Sequence, residues 1–416
     1  MVACRVCQQS VIQILDLGSQ PISNRFFLLP SKREVQCALV LGFCEHCGLT
    51  QLLNPPSSVD VRPLFDWIRY NEPEYHLDKV AEQLSHLPGI DSNSLFCGIS
   101  GQEYSTLERL KKRGFNYSWQ LSLQDDLEEI NPLSGVETIQ TLLTPATAKR
   151  ILKKRERPHV IIARYILEHA HDPLQFLNAL KNLLQPGGYL VIEVPDNTRI
   201  FEFGEHSVLW EEHVSYFTPC SFIQCLERAG LKLISFEIYP ASLENAMVAM
   251  VSIPEAEIPR QKNEANLALL TERETVLRYA SLFADRRVQY QKILRHHRSA
   301  GKIALFGAGH LACHFINLMQ LENEIDFIID DHPHKKGMFM PGTQLVISPS
   351  SILESENIAL CLLSLSPESE QKVVQNKQDF VRKGGKFYSI FSTSQISLLS
   401  SIDHLEVQCG GVTETA

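Results

Sequence analysis

Two cysteine pairs near the N-terminus, Cys4-Arg5-Val6-Cys7 and Cys44-Glu45-His46-Cys47, have the spacing of metal knuckles. A CxxC turn lets two thiolates reach one ion, and two such turns complete a tetrahedral four-sulfur site. Gly48 follows the second pair, where such a turn favours a residue that tolerates positive φ. Apolar residues at Val11, Ile12, Ile14 and Leu15, and again at Leu39, Val40, Leu41 and Phe43, predict short strands between the pairs. So small a unit has little core, and a metal supplies the missing stability. The spacing therefore predicts a zinc ribbon with one structural Zn2+ on Cys4, Cys7, Cys44 and Cys47. With four protein ligands the ion has no open position for chemistry. The competing reading is a redox CxxC, but no thioredoxin-like βαβ pattern surrounds either pair. His46, between two ligands, is expected to face solvent.

A second concentration of chemistry lies in Leu209–Pro219, where Trp210, Glu211, Glu212 and His213 precede Tyr216 and Phe217. An acid beside a histidine can orient the ring and hold its proton, as a general base requires. A lone histidine is more often structural, and it is the clustering of ionisable groups that favours a functional reading.

The elements that must position these residues read as alternating strands and helices. Ser94–Cys97 is a strand, Gly98-Ile99-Ser100-Gly101 a turn, and Tyr104–Arg113 a helix closed by Gly114. A glycine turn between strand and helix lets a ligand approach the backbone, although an ordinary βα turn looks the same. Pro158 opens the strand His159–Arg164, Asp172-Pro173 begins a helix through Leu184, and Gln185-Pro186-Gly187-Gly188 turns into the strand Tyr189–Val194. This order predicts an α/β fold with a parallel, doubly wound sheet. Ligands bind such sheets at the carboxyl ends of the strands, which gathers Gly98, Arg164 to His169 and Glu193 to Asp196 around one crevice. Upstream, 66–88 read as a loop entering an amphipathic helix, with Pro73 early in it and Leu77, Val80, Ala81 and Leu84 on one face. Downstream, 264–299 read as a long connecting helix. Lys302–Phe306 is a strand, Gly307-Ala308-Gly309 a glycine turn, and Ile325–Ile329 a strand ending in Asp330 and Asp331. This resembles half of a dinucleotide site, but Cys313 stands where the third glycine belongs, which counts against NAD.

The totals set limits on function. The 416 residues are 44% hydrophobic and 21% charged, an ordinary globular balance for two to four domains. The net charge of -9 makes a poor partner for nucleic acid. No stretch approaches about 20 consecutive apolar residues, and the N-terminus has no apolar signal core. A cytoplasmic protein with no membrane association is expected. Eleven cysteines in such a chain argue for reduced thiols, with Cys37, Cys97, Cys220, Cys225, Cys313, Cys361 and Cys409 as small core residues.

These motifs together resemble the sugar C-methyltransferases that use S-adenosylmethionine. The resemblance runs from Cys4-x-x-Cys7 and Asp16-Leu17-Gly18-Ser19-Gln20-Pro21-Ile22-Ser23-Asn24, through Cys44-x-x-Cys47-Gly48-Leu49 and Pro186-Gly187-Gly188, to Glu212-His213-x-x-Tyr216-Phe217. It resumes at Gly307-Ala308-Gly309, Ile325–Asp330 and Pro341-Gly342-Thr343. It implies an N-terminal zinc-binding domain (1–65), a class I, Rossmann-like methyltransferase domain (66–260), a C-terminal Rossmann-like domain (261–404) and a tail (405–416). It also implies a mechanism in which a histidine removes a proton beside a keto group on a nucleotide-linked sugar, and the enolate takes the methyl group of S-adenosylmethionine. The matching base is His213, with Glu212 beside it, His169 to steady the enolate oxygen and Tyr70 as a further site residue. Gly98, Ser100, Gly101, Arg164 and Asp126 are the cofactor-binding candidates, Asp125 and Asp126 being the nearest acids for the ribose. The sequence departs from the family where the loop lacks an acid before Gly98 and where Trp210 replaces a tyrosine. A small-molecule substrate and a monomer or weak dimer complete the expectation. O-methylation, a catalytically silent binding protein and an NAD enzyme are the alternatives.

Overall fold

The structure is a computed structural model, and it describes residues 2–29, 34–68, 72–254 and 265–401. Tyr70, Cys409 and the tail 405–416 lie outside the described residues. The chain divides into two units, Met1–Asp16 with Val40–Arg199 and Glu212–Glu274, and Leu17–Leu39 with Ile200–Glu211 and Thr275–Ala416.

The N-terminal strands are β1 (Ile12–Pro21), β2 (Gln36–Phe43) and β3 (Thr50–Leu52). They are followed by β4 (Phe96–Gly98), β5 (Ser118–Gln120), β6 (Val160–Arg164) and β7 (Tyr189–Asp196). Next come β8 (Ser215–Tyr216), β9 (Lys232–Tyr239) and β10 (Asn245–Ser252). One sheet has the order β1-β2-β3-β8 and another β5-β4-β6-β7-β10-β9. Strands β5, β4, β6 and β7 run parallel, as the alternation of strand and helix predicts. The sequence reading did not extend to β10 and β9, which close that sheet with two antiparallel pairings.

Every residue of β6 and β7 is buried, because helices cover both faces of a parallel sheet and leave no side for polar alternation. The helix Pro173–Leu183 starts where expected: the Asp172 carboxylate accepts from Gln175 N at 2.9 Å, and Pro173 occupies the first turn. The helix Leu77–Ser85 buries Leu77, Val80, Ala81 and Leu84 on one face. Pro73 does not begin it, contrary to expectation. Its carbonyl instead accepts from Arg164 Nη2 at 2.8 Å, and the helix waits until His76, whose ring is held by Glu193. The strands β1 and β2 are also longer than their apolar residues suggest, at 10 and 8 residues.

In the second unit, β11 (Lys302–Phe306), β12 (Phe327–Ile329), β13 (Ile347–Ser348), β14 (Ile358–Leu363) and β15 (Lys386–Ser389) form a parallel sheet of order β13-β12-β11-β14-β15. The long helix Ala265–Arg298 agrees with the sequence reading. The described cysteines form no disulfide, and all are buried except the half-buried Cys220. No helix is long and apolar enough to cross a membrane among the described residues.

Candidate functional site

The two knuckles meet. Cys4 Sγ lies 3.5 Å from Cys47 Sγ, and Cys7 Sγ lies 3.3 Å from Cys44 Sγ. All four sulfurs fall within 4.8 Å of one another. Sulfurs 2.3 Å from a tetrahedral zinc ion lie about 3.8 Å apart, so the group fits that ion. Hydrogen bonds from Cys4 and Cys47 pull the Cys44 thiol far down, and its thiolate in turn pushes Cys4 up to about 12. Four cysteine sulfurs converging this closely are the donor set of a cation site. Gly48 has φ +75° and its N–H donates to the Cys44 carbonyl, closing the second knuckle as its glycine predicts. His46 is exposed.

The knuckles also hold a neighbouring segment. Cys44 and Gly48 close the turn between β2 and β3, and β3 pairs antiparallel with β8, Thr50 opposite Tyr216. Arg5 donates to the carbonyls of His171 and Leu52, at 2.9 and 3.1 Å. Leu52 N donates to the Val214 carbonyl, and Val214 N to the Glu168 carbonyl at 2.8 Å. The zinc turn thus braces both segments that carry His169 and His213.

His169 and His213 come together, with ring centroids 4.8 Å apart and the rings edge to face. His169 sits in a 3-10 turn, Leu167–His169, just beyond the carboxyl end of β6. Tyr165, between strand and turn, has φ +48°, a conformation that costs a residue with a Cβ about 1 kcal/mol or more. Its N–H is held by the Glu193 carbonyl at 2.9 Å. Burial pushes the His169 ring down to about 4, opposed by a hydrogen bond to the Glu212 backbone carbonyl. That ring is therefore neutral at ordinary pH. Glu212 is itself buried, and His213 is half-buried. The Glu168 side chain is fully buried with no hydrogen-bond partner on either carboxyl oxygen. Burial first, and then the charges of Glu72, Glu244 and Glu193, push it well above the usual carboxylate range.

Beside this pair Glu193 is matched by two cationic or ring partners. Arg164 gives Nε and Nη2 to Glu193, at 2.5 and 3.0 Å, and further N–H donors on Nη1 and Nη2 to the carbonyls of Gln102 and Pro73. His76 Nε2 lies 3.0 Å from Glu193 Oε1. Burial would raise Glu193, but His76 and Arg164 outweigh it and hold the carboxyl below its usual value. Arg164, proposed from sequence for the cofactor, is thus a buried structural cation in this arrangement.

The glycine turn holds its own acid. Glu103 accepts from Ser100 N and Oγ and from Arg164 N, at 2.8, 2.9 and 2.9 Å. The loop has no acid before Gly98; Glu103 stands five residues after it. Asp126 accepts from Ser122 N and pairs with Arg155 at 3.1 Å, so its carboxylate serves a local turn. Gln120, at the end of β5 opposite Gly98, carries no charge and so no signal for a ribose-binding acid. A Cβ on Gly98 would lie 2.2 Å from Gln120 Oε1, so a larger residue there must displace the end of that side chain. That oxygen is buried without a partner, an acceptor facing the turn, while Gly101 has open space where its Cβ would stand.

The second unit holds a different Glu–His group. Glu211 accepts from Ser23 N and Oγ, at 2.6 and 2.8 Å, and lies 2.9 Å from His314 Nε2. Trp210 donates to Ser23 Oγ and stacks on His310. At the Gly307 turn, Asp330 accepts from Ala308 N and from Lys335, at 3.0 and 2.8 Å. The acid that sequence placed under a ribose is thus already engaged by its own loop.

Known families match along most of the chain. A model described as a zinc binding domain matches residues 4–59, a methyltransferase domain matches 96–235, and a C-methyltransferase C-terminal domain matches 250–391. The C-methyltransferase NovU of Streptomyces niveus is 23% identical over 404 residues, covering 92% of this chain and 94% of that protein. Among solved structures, a Burkholderia thailandensis 1,6-didemethyltoxoflavin-N1-methyltransferase aligns at 13% identity over 44% of this chain and 80% of its own, with a TM-score of 0.30. A Clostridium acetobutylicum S-adenosylmethionine-dependent methyltransferase aligns at 7% identity over 44% and 93%, with a TM-score of 0.30.

Proposed function

Since the chain belongs to the S-adenosylmethionine-dependent C-methyltransferase family, we propose that it methylates the carbon beside a ketone, with His213 as the base. The observation that carries this reading is the meeting of His169 and His213 at the carboxyl end of β6, one ring buried and one within reach. The favoured substrate is a keto-sugar linked to a nucleotide, or a similar carbon acid.

A ketone acidifies the neighbouring C–H, and a neutral imidazole within reach takes that proton. His213 fills this role, and the proton passes from it to solvent. His169 gives one ring N–H to the Glu212 carbonyl, which fixes its tautomer and holds the pair's geometry. The imidazolium formed at His213 steadies the enolate oxygen before its proton leaves for solvent, and His169 holds that ring in place. Glu212 acts through that carbonyl as a positioning residue. Tyr70 is proposed as a further site residue on the resemblance alone. S-adenosylmethionine, when bound, supplies an electrophilic methyl group. Gly98 and Gly101 would give it close approach to the backbone, Ser100 would shape the turn, and Gln120 Oε1 would offer it an acceptor. Arg164 and Asp126 hold the surrounding loops.

The test is His213→Ala, assayed with nucleotide-linked keto-sugars and with calorimetry of S-adenosylmethionine binding. Turnover should fall by roughly 10²–10⁴-fold while cofactor affinity holds. Unchanged turnover removes His213 as the base. A product carrying its new methyl on oxygen, read by NMR, overturns C-methylation.

A further inference from the structure

We infer that Glu168, His169 and His213 form a second metal site, which takes a divalent transition-metal ion such as Co2+, Ni2+ or Zn2+. One ligand atom from each lies within 4.8 Å of those of the other two. Ligands at about 2.0–2.2 Å from an ion sit roughly 3–3.5 Å apart, so small side-chain rotations close the triangle. The independent observation is Glu168. Its side chain is fully buried, and neither carboxyl oxygen has a hydrogen-bond partner. A carboxylate so placed is costly unless it is neutralised, and a cation held by the adjacent rings neutralises it.

The donor set decides the class of ion. Two imidazoles and one carboxylate suit transition metals, whereas Mg2+ and Ca2+ prefer all-oxygen cages. Three protein ligands also leave positions open, unlike the closed set of Cys4, Cys7, Cys44 and Cys47. The half-buried His213 gives the ion its way in. Occupancy takes up the ring nitrogen needed for proton removal, so the ion acts as a reversible inhibitor; this last step rests on the reading of His213 as the base.

The full chain, carrying one zinc at its cysteines, is titrated with Co2+ and followed by calorimetry and visible absorption. One further equivalent should bind, with d–d bands but without thiolate charge-transfer bands. Glu168→Gln should weaken it by more than about tenfold, and His213→Ala, at a half-buried position, should do the same with the fold checked by circular dichroism. No further equivalent, sulfur bands in the spectrum, or an affinity unchanged from the parent in both variants would overturn the site. Co2+ binding that leaves turnover unchanged upholds the site and counts against His213 as the base.

Discussion

Two buried glutamate–histidine groups, one in each unit, differ in whether the carboxylate has partners. Glu211 is met by Ser23 N, Ser23 Oγ and His314. Glu168 is met by no donor, although His169 and His213 are close by. Adjacent glutamates of one motif, Glu211 and Glu212, even fall in different units. A saturated group of this kind holds a fold together, because every lone pair it buries is matched. An unsaturated one is destabilising until something binds, which is the signature of a site.

The largest expected contrast comes from removing zinc. Structural zinc contributes on the order of 10 kcal/mol in zinc-finger peptides. A chelator that strips the four cysteines should melt the first unit and release the segments holding His169 and His213. The Glu211 group should survive, which histidine NMR signals would report. Loss of both together would break the contrast.

Next in size is His314→Ala. Breaking a buried pair leaves Glu211 uncompensated and should cost about 3–5 kcal/mol by denaturant titration. A loss under about 1 kcal/mol would place Glu211 among the unsaturated groups.

The pH dependence should differ in sign between the units. Burial would raise Glu211, but the His314 and Ser23 hydrogen bonds outweigh it and hold the carboxyl below 4.5. Its stabilisation is complete above its unfolded value and lost as pH falls through the lower folded one. Glu244, in the first unit, is raised by burial from 4.5 to about 8. Its contribution is present below 4.5 and lost as pH rises toward 8. Glu211→Gln should therefore remove an acid-side loss, and Glu244→Gln a loss near neutrality, each about 1–3 kcal/mol by thermal melts across pH. The opposite assignment of the two losses would refute the electrostatic reading.

The smallest effect is expected at Glu168→Gln. Removing an unpartnered acid should leave stability within about 1 kcal/mol of the parent, with gain more natural than loss. A cost of several kcal/mol in the same titration would show that Glu168 is a saturated structural group after all.

Local features were legible and distant ones were not. The cysteine ligands could be read because a knuckle is set within four residues, and Asp172-Pro173 because a helix cap is equally local. His169 and His213 were each singled out, but their meeting across 44 positions could not be seen in a spacing. Glu168 falls within the predicted crevice segment, and its local signal is a charged residue just past a wholly buried strand. Gln120 carried no signal at all to a search for acids.

The sequence by itself determined the paired cysteines that meet and the alternation that makes the parallel sheets, since these depend on short-range spacing and pattern. Only the tertiary structure decided which acids are matched and which stand open. Glu103, Asp126, Glu193 and Glu211 look no different from Glu168 in the chain. What separates them is the supply of donors brought by strands and turns far away in sequence, and that supply sets whether a buried charge is structure or site.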